Sequence, residues 1–347
     1  MQLLEWNGTG EHERVVFAQD PAYGYRGIIA IHNTKLGPAV GGTRFWNYAD
    51  DEAALNDALR LSRGMTYKNA LAGLPFGGGK SIIIGNNKTL DREAIFRAHG
   101  RFIETFNGRY IAGEDVGTST SDMDLVRLET NHVAGLADKS GDPSPATAHG
   151  VFRAVQATAK FRWGLDDISG KTAAVQGCGN VGYHLCKELH RAGAQLIVTD
   201  TEPLKVQRCV TDFGAVEVRP DEIYGVEADI FAPCALGGIL NSETIPRLKV
   251  EIVVGAANNQ LLEPVHGNML EERNILYAPD YVANAGGIIN GGCIELLGWD
   301  PASALVKING IYDTLLRVFK TAAKDDIPSY QAADRLAERH LARVHNS

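Results

Sequence analysis

Gly177, Gly179 and Gly182 stand in the spacing G-x-G-x-x-G within AVQGCGNVGYHL, and no other feature of the 347-residue chain restricts its fold as sharply. The spacing alone is weak, but its surroundings are specific. An apolar strand over Thr172 to Gln176 runs into it, Asn180 to Arg191 reads as a helix after it, and a second strand, Gln195 to Thr199, ends at Asp200, eighteen residues past the last glycine. A strand, a tight glycine turn and a helix in that order predict a dinucleotide site. The turn and the helix N-terminus, with Asn180 and Val181, can hold a pyrophosphate, and Asp200 can accept hydrogen bonds from an adenosine ribose. An acidic residue there repels a 2′-phosphate, and Thr201 and Glu202 bring no arginine, so NAD is expected over NADP.

The same alternation continues downstream. Leu204 to Phe213 reads as a helix, and strands are expected at Ile230 to Ala232, Glu251 to Gly255 and Ile275 to Ala278, which together predict a parallel sheet wrapped by helices. GAANNQ, Gly255 to Gln260, follows a strand, where such sheets place ligands, and makes Asn258 a candidate cofactor contact. In PDYVANAGG, Asn284 precedes glycines that open a helix and is a candidate contact to both cofactor and substrate; turn formation is the alternative for either Asn. Leu305, Ile308, Ile311, Leu315 and Phe319 form one apolar stripe, read as core, and a last helix over about Gln331 to Val344 is expected to return to the first domain.

Before this lies an α/β region. Strands are predicted at Arg14 to Ala18, Gly27 to His32, Lys80 to Ile84 and Arg109 to Ala112, and helices at Asp50 to Arg63, Asp91 to Phe106 and from near Ser121. The loop SGDPSPAT, Ser140 to Thr147, and a bridging helix over roughly His149 to Phe161 suggest a boundary near 140, giving domains 1–140 and 141–328, with 329–347 packing back on the first. Within the first domain, MTYKNALAGLPFGGGK (Met65 to Lys80) sets Lys68 and Lys80 on either side of an apolar run ending in three glycines. A lysine against apolar walls and near a second cation can serve as a base near neutral pH, and the glycines would let backbone approach a substrate.

Composition narrows the partners. The net charge is −8 with no basic block, so an electrostatic case for nucleic acid is missing. Five cysteines without a C-x-x-C pair suggest free thiols in a reducing cytoplasm, and the sequence shows neither an apolar signal core at MQLLEWNGTGEHE nor a run of membrane length, so a cytoplasmic protein without membrane association is expected. The ten histidines show no metal-ligand spacing; His184 and His190 read as ordinary helix residues, and no metal is expected.

GPAVGGTRFW (Gly37 to Trp46), Met65 to Lys80, GEDVGT (Gly113 to Thr118), the glycine fingerprint and NAGG (Asn284 to Gly287) occur in the order seen in the glutamate, leucine, phenylalanine and valine dehydrogenases, and the chain resembles that family over almost its whole length, the leucine branch most. The resemblance implies two domains, an N-terminal α/β domain with a mixed sheet that binds substrate and mediates homo-oligomers, and a C-terminal Rossmann domain, with the active site in the cleft between them. It implies reversible oxidative deamination of an L-amino acid to a 2-oxo acid and ammonia. By the same resemblance Lys68, with backbone of Gly41 and Gly42, would bind the α-carboxylate, Lys80 would be the general base, and Asp115 would assist proton transfer. Thr147 and Gly150 resemble positions that touch the nicotinamide. For Asp115 a helix cap, and for Thr147 and Gly150 capping of the bridging helix, are the structural alternatives.

The resemblance also bears on the substrate. Glutamate dehydrogenases carry a lysine where this chain has Val40, so a distal carboxylate would be buried unpaired and an apolar side chain is expected instead. Gly113, Gly291 and Ile294 are the other expected pocket residues. Leucine dehydrogenases tend to have Leu, Ala and Val where this chain has Val40, Gly113 and Gly291, so the pocket is expected to be wider. A leucine-like substrate is the first expectation and phenylalanine or tryptophan the second. A nucleotide-binding sensor without turnover is the reading from another class, which the pair Lys68 and Lys80 with Asp115 argues against.

Overall fold

The computed structural model describes residues 1–5, 11–89 and 91–344. The chain forms two compact units: one takes Met1–Asp142, Gly291–Asp300 and the stretch from Ala337 on, the other Pro143–Asn290 and Pro301–Leu336. These bounds differ from the expected 1–140, 141–328 and 329–347: Gly291–Asp300 also joins the first unit, and of the last helix only the part from Ala337 on does so.

The first unit is built on a six-stranded mixed sheet, β1 (Gln2–Glu5), β2 (Arg14–Asp20), β3 (Tyr25–Asn33), β4 (Ala39–Trp46), β5 (Gly77–Ile84) and β6 (Tyr110–Glu114), in the order β1-β2-β3-β5-β4-β6. β2 and β3 pair antiparallel with Val16 opposite Ile29, and β4 runs parallel to both β5 and β6. Helix α1 (Asp51–Ala72) covers one face; it starts at Asp50, whose carboxylate accepts from the Ala53 amide at 2.7 Å, and stops at Gly73 in the left-handed region. Its small residues Ala54 and Ala58 pack on Ile28, Ala30 and Ile82. Helices α2 (Arg92–Glu104) and α3 (Thr120–Arg127) cover the other face, over a core of Tyr25, Phe45, Phe96, Phe102, Tyr110 and Met123. Buried among these, His99 bonds Tyr25 Oη at 2.7 Å and Ser81 Oγ at 3.1 Å.

The second unit opens on α4 (Ser144–Trp163) and holds a parallel sheet of β7 (Thr172–Gln176), β8 (Gln195–Thr199), β9 (Val216–Glu217), β10 (Ile230–Pro233), β11 (Ile252–Val253) and β12 (Leu276–Tyr277), ordered β12-β11-β10-β7-β8-β9. Helices α5 (Asn180–Arg191) and α6 (Pro203–Phe213) connect β7 to β8 and β8 to β9. The strand order reverses beside β7, which places the fingerprint turn at the switch point of a Rossmann sheet. Helices α7 (Val265–Glu272), α8 (Asp280–Ala283) and α9 (Gly286–Gly291) follow; a π-helical turn, Gly292–Leu296, continues from α9 in the first unit. Then come α10 (Pro301–Asn309), α11 (Ile311–Asp325) and α12 (Ser329–Val344).

Several expectations are corrected. β4 lies deep in the first sheet although its glycines and arginine hide the apolar alternation of a strand. α1 runs on to Ala72, so Lys68 is helical. The second half of SGDPSPAT already belongs to α4. The stripe from Leu305 to Phe319 is divided between α10 and α11, and Leu305 is 47% exposed and outside the core. α12 is shared between the units, with Tyr67 Oη donating to Glu338 Oε1 at 3.0 Å in the first; the last three residues of the predicted 329–347 segment lie outside the described residues.

Candidate active site

β5 carries Lys80 into the first unit, where only 4% of it is exposed, and its Nζ lies 2.8 Å from Asp115 Oδ2. Asp115 follows the end of β6 and does not cap α3: Ser119 takes that position, and its amide donates to Asp122 at 2.8 Å. The same Asp115 oxygen accepts from Arg44 Nε at 2.9 Å. Arg44 comes from β4 and also donates from Nη1 to Asp57 Oδ2 on α1 at 2.8 Å, an oxygen that accepts from Tyr48 Oη at 2.5 Å. Four elements thus converge on one buried charge network.

Its electrostatics are asymmetric. Burial pushes the Lys80 ammonium below the usual lysine range; the Asp115 carboxylate opposes this and the Arg44 guanidinium adds to it. Burial alone would raise Asp115, but Lys80 and Arg44 together hold it well below the usual carboxylate range. The sequence suggests Lys68 as the cation beside Lys80; in the structure Arg44 shares the Asp115 carboxylate with it. The signal was a charged residue in the middle of GGTRF, which only makes sense inside a strand if buried acids meet it. Glu114 was also missed. Its Oε2 is buried without a hydrogen-bond partner among the described residues, and burial, then Asp142, Asp122 and Asp115, push its carboxyl up to about 7.

The glycines of this region also make room for protein atoms. A Cβ on Gly77 would come within 2.0 Å of Asn33 O, on Gly78 within 2.1 Å of the Thr66 amide, and on Gly79 within 2.7 Å of the Tyr110 ring. They let Asn33 of β3, Thr66 of α1 and Tyr110 of β6 close on β5. α1 is thereby pulled onto the sheet with Lys68, which is 9% exposed, two residues beyond Thr66. Pairing of β4 with β5 holds at Val40–Gly78 and resumes at Thr43–Ser81; between them the Gly41 carbonyl accepts from Tyr110 Oη at 2.6 Å, and a Cβ on Gly42 would strike Glu114 O and Asp115 Cβ.

Val40 is buried on β4, while Gly113 and Gly291 border open space: a Cβ on either meets a single neighbour, Ala134 O or Ser140 Oγ, at 3.8 Å. Ile294 is half-buried on the π-helical turn that Gly291 begins. Glu295 on that turn accepts from the Gly135 amide at 3.0 Å and from the Ser140 amide and hydroxyl, fastening the 134–140 loop to it.

In the second unit Gly177 has φ +99°, and a Cβ there would strike Ala235 at 2.8 Å; one on Gly182 would come within 1.9 Å of Gly177 O, while Gly179 is open. Asn180 and Val181 form the first turn of α5. Asp200, just past β8, is brought to this turn, its Oδ2 accepting from the Cys178 amide at 2.7 Å and its Oδ1 from the Glu202 amide at 2.9 Å. Asn284 Nδ2 donates to Asn258 Oδ1 at 2.8 Å and to Ala256 O at 2.9 Å, which brings those two predicted residues together. Asn284 Oδ1 is buried with no partner among the described residues, an acceptor that a ligand N–H would satisfy. Thr147 and Gly150 lie inside α4: Thr147 Oγ1 donates to Pro143 O at 2.9 Å, and Gly150 lets α4 approach Gly286 and Ile311. A tight turn, an acid at its mouth and an unsatisfied amide oxygen suit a dinucleotide.

Residues 12–132 match the Glu/Leu/Phe/Val dehydrogenase dimerisation domain, and residues 140–203 and 199–346 match the Glutamate/Leucine/Phenylalanine/Valine dehydrogenase family. The chain belongs to this family. It is an amino-acid dehydrogenase, an oxidoreductase of a family that generally depends on a nicotinamide dinucleotide. It is 55% identical to leucine dehydrogenase of Geobacillus stearothermophilus over 98% of this chain and 94% of that protein, and 49% identical to L-tryptophan dehydrogenase of Nostoc punctiforme over 100% and 98%. The crystal structure of the Nostoc punctiforme L-tryptophan dehydrogenase superposes with a TM-score of 0.82 over 97% of this chain and 98% of that one, at 48% identity. Among the described residues no cluster of His, Cys, Asp and Glu is suited to hold a metal ion, and no helix is long and apolar enough to cross a membrane.

Proposed function

We propose that this dehydrogenase oxidatively deaminates an apolar L-amino acid, leucine or another branched-chain residue first, to the 2-oxo acid and ammonia, with NAD as cofactor and Lys80 as general base. The observation that carries this reading is the buried contact of Lys80 Nζ with Asp115 Oδ2 at 2.8 Å. Lys68, with the backbone of Gly41 and Gly42, binds the substrate carboxylate. Gly177, Gly179, Asn180, Val181, Gly182 and Asp200 hold the dinucleotide, with Thr147, Asn258 and Asn284 toward its nicotinamide and Asn284 also toward the substrate. When bound, the nicotinamide supplies the acceptor for the Cα hydride. Asp115, kept a carboxylate by Lys80 and Arg44, assists proton transfer to and from the amino nitrogen, and neutral Lys80 draws a proton from water as the water oxygen attacks the imine carbon; the carbinolamine C–N bond then breaks, with that proton returned to nitrogen, to give oxo acid and ammonia.

The first unit is thus the substrate-binding and catalytic one, and its match to a dimerisation domain supports a homo-oligomer. NAD over NADP rests on the carboxylate of Asp200, with Glu202 beside it paired to Lys205 at 2.7 Å. A cytosolic location rests on five free thiols. The open space at Gly113 and Gly291 favours a second reading, L-phenylalanine or L-tryptophan by the same mechanism, while Val40 disfavours glutamate.

The test is NADH formation at alkaline pH with leucine, valine, phenylalanine, tryptophan and glutamate, repeated with NADP. Preference for leucine or valine with NAD supports the first reading, preference for an aromatic acid supports the second, and turnover of glutamate or equal use of NADP overturns the pocket or cofactor assignment. Lys80→Ala should abolish turnover while NADH still binds; surviving turnover would remove Lys80 from its role.

A further inference from the structure

Arg44 is gripped more elaborately than a structural cation needs. Its Nε reaches Asp115 Oδ2 at 2.9 Å and its Nη1 reaches Asp57 Oδ2 at 2.8 Å, with Tyr48 Oη on the same Asp57 oxygen. The Arg44, Asp115 and Asp57 side chains are 15%, 12% and 21% exposed. A planar guanidinium has donors in fixed directions and can hold two carboxylates at once, which an ammonium cannot do with the same geometry. Asp115 therefore has two cations on one oxygen, Lys80 and Arg44, and the consequence follows from counting charge. If Asp115 faced Lys80 alone, removing the lysine proton would strand a buried carboxylate, and the ion pair would hold that proton in place. With Arg44 present the carboxylate keeps a partner in both states.

We infer that Arg44, anchored by Asp57, is a positioning residue of the proton chemistry: it keeps Asp115 paired whether Lys80 carries its proton or has given it up, so that Lys80 is free to act as a base. The inference rests on the reading of Lys80 as that base. Asp115, Arg44 and Asp57 act on Lys80 directly, and the other titratable and charged groups stand on the elements packed around β5. Asp115 and Glu114 stand at the end of β6 and Tyr110 at its start; Arg44 lies on β4 with Tyr48 beyond it; α1, packed on β5, brings Asp57 and Lys68; β3 brings His32, and α2 brings His99 onto Ser81. Arg44 is bonded to the same carboxylate oxygen as Lys80.

The experiment is the pH profile of kcat and kcat/KM for oxidative deamination of the best amino acid of the panel, on the full chain, for wild type, Arg44→Lys, Arg44→Met and Lys80→Ala, with NADH binding followed by fluorescence. The acidic limb, where Lys80 must lose its proton, should move to higher pH by about one unit in Arg44→Lys, roughly tenfold in rate below the limb, and by more in Arg44→Met, with NADH affinity unchanged. Activity should return toward wild type at the alkaline end. A limb that stays in place while the rate falls equally at every pH would make Arg44 merely structural and overturn the inference; if Arg44→Met does not fold, Arg44→Lys decides alone. Lys80→Ala separates the two claims. Its turnover, if retained, sinks the base assignment, whereas an inactive Lys80→Ala with unmoved limbs in the Arg44 variants sinks only the present one.

Discussion

At the scale of single residues the contrast between Gly78 and Gly113 shows how one residue type serves opposite ends. Gly78 is pressed against the Thr66 backbone, so Gly78→Ala must push α1 off the sheet, at a cost of about 1–3 kcal/mol, measurable as a lower midpoint in thermal or urea unfolding. Gly113 has open space beyond it, its nearest neighbour 3.8 Å from where a Cβ would be. Gly113→Ala should therefore leave stability unchanged and narrow the pocket; kcat/KM for tryptophan relative to leucine should drop about tenfold, and an unchanged ratio would show that this glycine does not line the substrate side chain. Nothing in the letters GGG or GED separates these roles. The fingerprint glycines were legible because strand, turn, helix and acid all repeat one local geometry, and that geometry is short-range.

At the scale of elements, the π-helical turn and the loop it holds form a unit that no local pattern announces. Glu295 accepts from Gly135 and Ser140, so the turn that begins at Gly291 and carries Ile294 is tied to the loop that contains Ala134. Glu295→Ala removes the acceptor of those half-buried donors, at about 0.5–1.5 kcal/mol per hydrogen bond. The expected result is a lower unfolding midpoint and a higher KM for the amino acid with NADH affinity intact; an unchanged KM would mean that the loop does not shape the pocket. Strands β7, β8 and β10 and helices α5 and α6 of the second unit were readable to within a residue, because strands of a parallel sheet buried on both faces demand uninterrupted apolar runs, whereas β9, α7 and α8 carry no such mark. β4 was not readable either. Gly41, Gly42 and Arg44 break the alternation that marks a strand, and all three are there because protein atoms or buried carboxylates approach them from other elements.

For the whole molecule, buried histidines link stability to pH. Burial holds His99 neutral in the folded state, down to about 3 from an ordinary 6.5, and His32 is lowered to about 4, with burial again the leading cause. The unfolded chain thus binds more protons than the folded one below 6.5, so stability falls on acidification, by about 1.4 kcal/mol per pH unit for each such histidine until its folded value is reached. Asp115, held low, adds loss below its ordinary carboxylate range, whereas Glu114, raised to about 7, works in the opposite direction between its ordinary 4.5 and 7. Unfolding midpoints between pH 8 and 4 should fall toward acid, and His99→Gln should flatten that slope even if it starts from a lower midpoint; an unaltered slope would show that another group controls it. The sequence by itself determined the Rossmann unit, its glycine turn with the acid beside it, the two lysines and the order of motifs that marks the family, since each depends on neighbours within a few tens of residues. Only the tertiary structure decided that Asp115 is an ion-pair partner and not a cap, that Arg44 and Asp57 share its network, and that Gly77, Gly78 and Gly79 make room for Asn33, helix α1 and the Tyr110 ring. Those outcomes depend on which distant groups meet in a medium of low dielectric, where an unpaired charge or a misplaced methyl costs more than any local preference can return.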